Sequence, residues 1–320
     1  MRKREEMDLK IFKKSDKVVR AEFEIDDPEL QKKHRGDRAD AVWLRDADGM
    51  HMFMPLLYPN RADNEAYIRE SFDLTAVNEY LAKKNAAREE NGDDFKYTLF
   101  HVLVAAMLKA VVLRPKLNRF ITNGKLYMRR ELSAAFVVKK YFRDDSTEGL
   151  AFLHANVDDT FETLHEKLRA LIYPVKNGAG DKSSDAMDLI SKAPFPLTRA
   201  VVSVTRLLDR KGLAPEVLIG TDPAYSSVFF TNLGSIKLNC GYHHLTNWGT
   251  NSVFVVVGET KMVPYYDEKG KATMKETVEL GLTIDERIAD GFYYARTVDL
   301  VRKILANPEV LDLPLKTEIQ

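Results

Sequence analysis

The chain has 320 residues, room for one large domain or two small ones at ~150 residues each. Hydrophobic residues make up 45% and charged residues 30%, which allows a packed core and excludes global disorder. Basic and acidic residues both number 48, so there is none of the basic excess from which a general nucleic-acid binder gains by counterion release. Cys240 is the single cysteine, which rules out a disulfide framework within the chain and suits a reducing compartment. The opening Met-Arg-Lys-Arg-Glu-Glu-Met-Asp has no apolar segment behind it and does not read as a secretory signal. The most apolar stretch, Tyr97 to Leu113, is shorter than a membrane span and holds His101 and Lys109. A cytoplasmic location is expected, with neither nucleic-acid nor membrane contact.

Residues 1–40 read as a charged arm, with one short edge strand at Val18–Phe23 or as a solvated tail. Residues 41–320 read as one domain. Two prolines in Met50 to Pro59 argue for extended chain there. A helix capped by Asp73 or Thr75 runs to Asn85, with Val77 and Leu81 on one face. Thr98 to Leu113 is apolar nearly all round, a buried helix that Arg114-Pro115 stops. Ser133 to Tyr141 and Gly149 to Val157 read as strands, and Asp158-Asp159-Thr160 caps a helix through Ile172.

Asn177 to Asp181 is a loop, and Phe195 to Leu218 reads as helical. Val228–Phe230 and Ser252–Gly258 are continuous apolar runs, the pattern of strands buried on both faces. A strand over Val278–Ile284 and an amphipathic helix over Gly291–Asn307 complete an α/β chain with one large sheet.

His-Glu-x-x-His, Cys-x-x-Cys, Gly-x-Gly-x-x-Gly, P-loop and Gly-x-Ser-x-Gly patterns are all missing, so no metal, dinucleotide or serine-hydrolase site is indicated. His101 reads as a satisfied core histidine and His165 as a surface residue. Two segments stand out. Thr231-Asn232-Leu233-Gly234 follows an apolar strand and leads into a loop carrying Tyr242-His243-His244. Asp285-Glu286-Arg287-Ile288-Ala289-Asp290-Gly291 sits at a strand-to-helix turn. Each has a plainer reading: a strand end with its turn, and a solvated charge cluster before a helix.

In this order and spacing they resemble the catalytic domain of the dihydrolipoamide acyltransferases of 2-oxo acid dehydrogenase complexes, a domain that shares its fold with chloramphenicol acetyltransferase. That family carries Ser-Asn-Leu-Gly and Asp-His-Arg-x-x-Asp-Gly at these places. Arg114-Pro115-Lys116-Leu117-Asn118 and Leu305 to Leu311 are also similar to it. The resemblance runs from about Met54 to Leu311 and is poorest over 177–222, which reads as a divergent helical insertion. It implies a two-layer α/β sandwich with a large mixed sheet, a homotrimer with active sites between subunits, and acyl transfer with coenzyme A as a substrate.

In the family the motif histidine is the general base on the coenzyme A thiol. Here that position is Glu286. A solvated carboxylate of pKa ~4.3 is a poor base for a thiol of pKa ~8.5, so the role requires burial. Thr231 keeps the hydroxyl with which the family's serine holds the tetrahedral oxyanion. Asp285, Arg287, Asp290, Gly291 and Asn232 match positions that shape the motif's turns. His243 and His244 either supply the missing imidazole or pack a long loop.

The 320 residues hold no lipoyl domain and no covalently bound cofactor is expected. An acyl group would arrive on coenzyme A or on a separate lipoyl protein, for transfer to a thiol, amine or hydroxyl. A trimeric scaffold that lost its base is the alternative. Phe195 to Leu208, apolar beside Arg199, Arg206, Arg210 and Lys211, reads as a lid over the substrate channel rather than an interfacial helix.

Overall fold

The computed structural model describes residues 25–90, 92, 95–139, 148–176 and 193–319. Its strands are β1 (Ala41–Trp43), β2 (Glu65–Asp73), β3 (Arg119–Thr122), β4 (Lys125–Arg129), β5 (Leu132–Lys139), β6 (Glu148–Ala155), β7 (Val228–Asn232), β8 (Val253–Tyr266) and β9 (Ala272–Asp285). The longer helices are α1 (Gly49–Leu57), α2 (Thr75–Glu90), α3 (Leu99–Leu113), α4 (Phe161–Lys176), α5 (Phe195–Arg210) and α6 (Gly291–Ala306).

Six strands form a mixed sheet in the order β2-β9-β8-β7-β5-β6, and β1-β4-β3 form a small second sheet. Within the large sheet β7 runs parallel to both β5 and β8, and the other pairings are antiparallel. The apolar runs of β7 and β8 place them at the centre. Val228, Phe230, Val253, Val255 and Val257 point into the main core, while Phe229, Phe254 and Val256 pack with Leu233 and Leu245 on the opposite face. A strand covered on both faces has no use for alternating polarity.

Helix α3 lies at the centre of the helical layer. Its first turn is closed reciprocally by Thr98 and His101, and residues 101–112 are all buried. It packs against α2, α4 and α6 as well as against the sheet. The helices over Phe161–Lys176 and Gly291–Ala306 and the strands over 132–139, 148–155 and 228–232 occur where the sequence pattern places them, whereas the strands expected at Ser252–Gly258 and Val278–Ile284 are the inner halves of two longer strands, Val253–Tyr266 and Ala272–Asp285.

Several readings change. The helix expected to end at Asn85 runs on to Glu90. Met50 to Pro59 is not extended: Gly49–Leu57 is a helix, capped by Asp48 and carrying Pro55 inside it. Pro55 lies in the last turn and lacks the N–H that would bond the carbonyl of His51, so this helix forms with one bond missing. The helix from Phe195 stops at Arg210 rather than Leu218, since Gly212 takes a positive φ of 73°. Leu213 N then bonds Leu208 O and Gly212 N bonds Asp209 O, the reciprocal closure of a helix end by a left-handed glycine. His165 is not a surface residue. It is 0% exposed, with its ring against Phe95, Tyr97 and His101 and its Nε2–H donated to the carbonyl of Phe95 at 3.1 Å. Strand β2 was not legible as a strand. Val18–Phe23 and Asn177–Asp181 lie outside the described residues.

Lys109 is 0% exposed in the middle of α3, and its Nζ donates to the carbonyls of Pro314 (3.0 Å) and Leu315 (3.3 Å). It ties the C-terminal segment to the central helix. Burial pulls its pKa down to about 8, from 10.5 in the unfolded chain. Between those values the unfolded state binds the extra proton, so stability rises with pH. The stability of the protein relative to Lys109→Met should therefore increase from about pH 8 to about pH 10 in thermal unfolding. Parallel profiles for the two proteins would show that Lys109 folds with an ordinary pKa.

Candidate functional site

The turn that joins β9 to α6 is held by a buried ion pair. Asp285 is 0% exposed and Arg287 1%. Asp285 Oδ1 accepts from Arg287 Nε at 2.8 Å and from its backbone N at 3.2 Å, and Oδ2 accepts from Nη2 at 2.6 Å. Arg287 Nη1 donates to the carbonyl of Tyr58 at 2.6 Å, and the Tyr294 hydroxyl donates to the carbonyl of Asp285 at 3.0 Å. Ile288 and Ala289 enter the main core. Asp290 caps α6, its carboxylate accepting from Tyr293 N at 2.8 Å. In this turn Asp285 and Arg287 form the buried ion pair and Asp290 caps the helix that follows. Gly291 opens the helix in open space, where a Cβ would meet nothing within 4 Å.

Glu286 is fixed at its backbone, where its N–H donates to Asn64 O at 3.0 Å, and its side chain is exposed between two buried neighbours. Thr231 lies half-buried at the end of β7, opposite Val256 and on the sheet face away from the helices. Val256 in turn pairs with Gly281 of β9. Two strand spacings and the roughly 13 Å from Gly281 to the end of β9 put the two backbones about 16 Å apart in one chain. Asn232 caps the single turn Leu233–Ile236, accepting from Ser235 N at 3.1 Å. A Cβ at Gly234 would lie 2.5 Å from Gly258 O, so only glycine fits there.

The loop carrying Cys240 to His244 lies flat across β8 and β9. Added Cβ atoms would lie 2.6 Å from Cys240 N at Gly258 and 2.1 Å from Gly241 O at Gly281. The His243 ring stacks on Phe254 (4.5 Å, 5°) and on His244 (4.8 Å), and its Nδ1–H donates to the carbonyl of His244 at 3.2 Å. The ring packs this loop against β8. This packing also leaves His243 over a residue two places along β8 from the partner of Thr231, ~7 Å away along the strand and on the same face. Burial pushes the Cys240 thiol above its ordinary pKa, so it is a poor nucleophile at neutral pH.

A cleft of about 440 Å³ opens beside the turn, between α1, the β3–β4 hairpin, the end of α5 and the loop at Asn247–Gly249. Sequence reasoning missed Arg61, which lies at its floor and is 5% exposed. Its Nη atoms donate to the carbonyls of Thr246, Gly249 and Ile121, and its Nε lies 3.8 Å from Asp285 Oδ2 without a hydrogen-bond partner. Nothing local marks Arg61, because its role depends on residues more than 180 positions away. A larger groove, about 560 Å³, runs along α6 and holds none of the motif residues. No cluster able to hold a metal ion occurs among the described residues. None of their helices is long and apolar enough to cross a membrane.

No protein-family profile and no curated protein sequence matches the chain. Solved structures do. A probable dihydrolipoamide acetyltransferase of Listeria monocytogenes matches at 13% identity and TM-score 0.55, over 81% of this chain and 92% of that one. The dihydrolipoamide acetyltransferase of Azotobacter vinelandii matches at 17% and 0.55, over 83% and 93%. A chloramphenicol acetyltransferase matches at 10% and 0.50, over 83% and 99%. The fold is therefore the chloramphenicol-acetyltransferase-like α/β sandwich. Within that class it is similar to the dihydrolipoamide acetyltransferase catalytic cores, the domain that the two motifs resemble.

Removing the charge of Asp285 leaves the Arg287 guanidinium buried without its counterion. Asp285→Asn should cost about 3–5 kcal/mol in denaturant unfolding. Asp290→Ala, which removes only a helix cap, should cost about 1 kcal/mol. Equal small losses would mean that the ion pair is not what holds the turn.

Proposed function

We propose that this chain is an acyltransferase that moves an acyl group between coenzyme A and a thiol, amine or hydroxyl acceptor, acting as a homotrimer. The observation that carries this reading is the build of the turn at 285–287. Asp285 and Arg287 are locked inward, and Glu286 alone is presented outward. The similar Azotobacter enzyme is described by the roles of a serine, a histidine and an asparagine in its catalytic mechanism, the asparagine four places after the histidine. Asp290 lies four places after Glu286, and Thr231 stands on the Ser-Asn-Leu-Gly-like turn.

In this reading Glu286 takes the proton of the attacking thiol, amine or hydroxyl. The freed electron pair attacks the thioester carbonyl, and Thr231 donates a hydrogen bond to the oxyanion that forms. Collapse of the intermediate expels the second thiolate, which regains a proton. Thr231 and Glu286 of one chain are too far apart to meet over one carbonyl, so the site closes only when a second copy brings its turn to the Thr231 face. That contact would also take Glu286 out of bulk water, and a desolvated carboxylate is a stronger base. The donor would be acyl-coenzyme A or a separate lipoyl protein, met in the cytoplasm.

The scaffold reading rests on one fact: Glu286 is exposed in the single chain. A solvated carboxylate is a weak base for a thiol, and a trimer that leaves it solvated would be catalytically silent.

Glu286→Gln should reduce acyl-coenzyme A turnover, followed by release of free thiol, by 100-fold or more. Thr231→Val should cost ~100-fold while leaving the fold intact. Light scattering should give three times 36.5 kDa. Full activity in Glu286→Gln would move the base to His243 or His244, and a wild type that neither binds coenzyme A nor turns over any acyl ester of it is the scaffold.

A further inference from the structure

The cleft beside the turn carries positive charge in excess. Arg61 and Arg287 lie at its floor, and both face a single carboxylate, Asp285. Arg206 and Arg210 stand at its mouth on the last turns of α5. The acid between them, Asp209, is already taken. Its Oδ1 accepts from Arg38 Nη2 at 2.8 Å and its carbonyl from Arg38 Nη1 at 2.5 Å. Among the described residues neither Arg206 nor Arg210 has an ion-pair partner.

Four guanidinium groups thus line one cavity, where Asp285 offsets one of the two charges at the floor and Asp209 is paired with Arg38. Burial pulls the Arg61 pKa down to about 10, which leaves it charged at neutral pH, and Arg287 is held in its ion pair with Asp285. Low-dielectric walls strengthen their field in the cleft. Asn247 adds polar capacity. Its Oδ1 accepts from Arg61 N at 2.9 Å, which leaves its amide N–H groups for a ligand. The volume of about 440 Å³ falls within the range of small-molecule sites.

We propose that this cleft is a binding site for a phosphate-bearing anion, with Arg206 and Arg210 as the forks that grip it and Arg61 and Arg287 as the fixed positive floor. Planar guanidinium groups pair two-pronged with phosphate oxygens, and a diphosphate can occupy more than one of them at once. Such an anion could come from the diphosphate of an acyl-coenzyme A or from a separate phosphorylated metabolite. The binding requires no acyl group, so its test does not depend on whether transfer takes place.

Arg206 and Arg210 are exposed, so the double variant Arg206→Ala/Arg210→Ala should keep its fold, which circular dichroism checks. Titration calorimetry on the whole chain with inorganic pyrophosphate, coenzyme A and pantetheine then tests the site. Pyrophosphate should bind the wild type, weaken with added salt, and lose at least about tenfold in affinity in the double variant. Pantetheine, which lacks phosphate, should give no such dependence on the arginines. If coenzyme A displaces pyrophosphate, the phosphates of the donor are the natural occupant. If it does not, the occupant is a separate phosphorylated metabolite. Failure of both pyrophosphate and coenzyme A to bind, or equal binding to the double variant, would overturn the proposal.

Discussion

One carboxylate organises this end of the molecule. Asp285 ends the long strand β9, accepts three hydrogen bonds from Arg287, and lies 3.8 Å from Arg61 Nε. Arg287 reaches back to Tyr58 at the end of α1, and Arg61 reaches across to the loop at Thr246–Gly249. The sheet, α1 and the long loop therefore meet through one charge. A buried ion pair is seldom worth more than an apolar substitute, but it fixes direction. Here the direction fixed is that of Glu286, held between two residues that cannot turn outward.

The same economy explains the opposite face of the sheet. Helices cover one side, and the loop carrying Cys240 to His244 covers part of the other. It can do so because Gly258 and Gly281 leave no side chains beneath it. Phe229, Phe254 and Val256 seal the space below, and Thr231 is left at its edge. A hydroxyl at the rim of a covered apolar patch is accessible to a neighbour and shielded from bulk water once the neighbour arrives. That is the environment in which a single hydrogen bond to a developing oxyanion has its largest effect.

Much of this was legible in the sequence, for identifiable reasons. The run Leu99–Leu113 announces a buried helix by its lack of a polar face, and β8 announces an interior strand in the same way. The motif at Asp285–Gly291 could be read because its Asp–Arg pairing and its helix cap are local. What escaped reading depends on distant partners. His165 looks solvated beside Glu162, Glu166 and Lys167, yet its ring is enclosed by Phe95, Tyr97 and His101. Strand β2 puts Ala66, Ile68 and Phe72 on its more buried face, but Glu70 stands between them, paired with Arg302, and interrupts the apolar alternation. Arg61 has partners at Thr246 and Gly249 that no short window contains. The apolar face of α5, with Phe195, Leu197 and Val204 exposed, was visible as a pattern, but neither its end at Gly212 nor its anchoring by Arg38 could be read from periodicity.

The central claim is that Thr231 and Glu286 act together across two copies of the chain. Complementation between two inactive variants tests it most directly. Thr231→Val and Glu286→Gln are co-expressed and purified as mixed oligomers, and acyl-coenzyme A turnover is compared with that of each variant alone. A site that takes Thr231 from one copy and Glu286 from the next is intact at about one interface in four when subunits mix at random in a closed ring, so about a quarter of the wild-type rate should return. Mixed oligomers no more active than their parents would contradict a shared site.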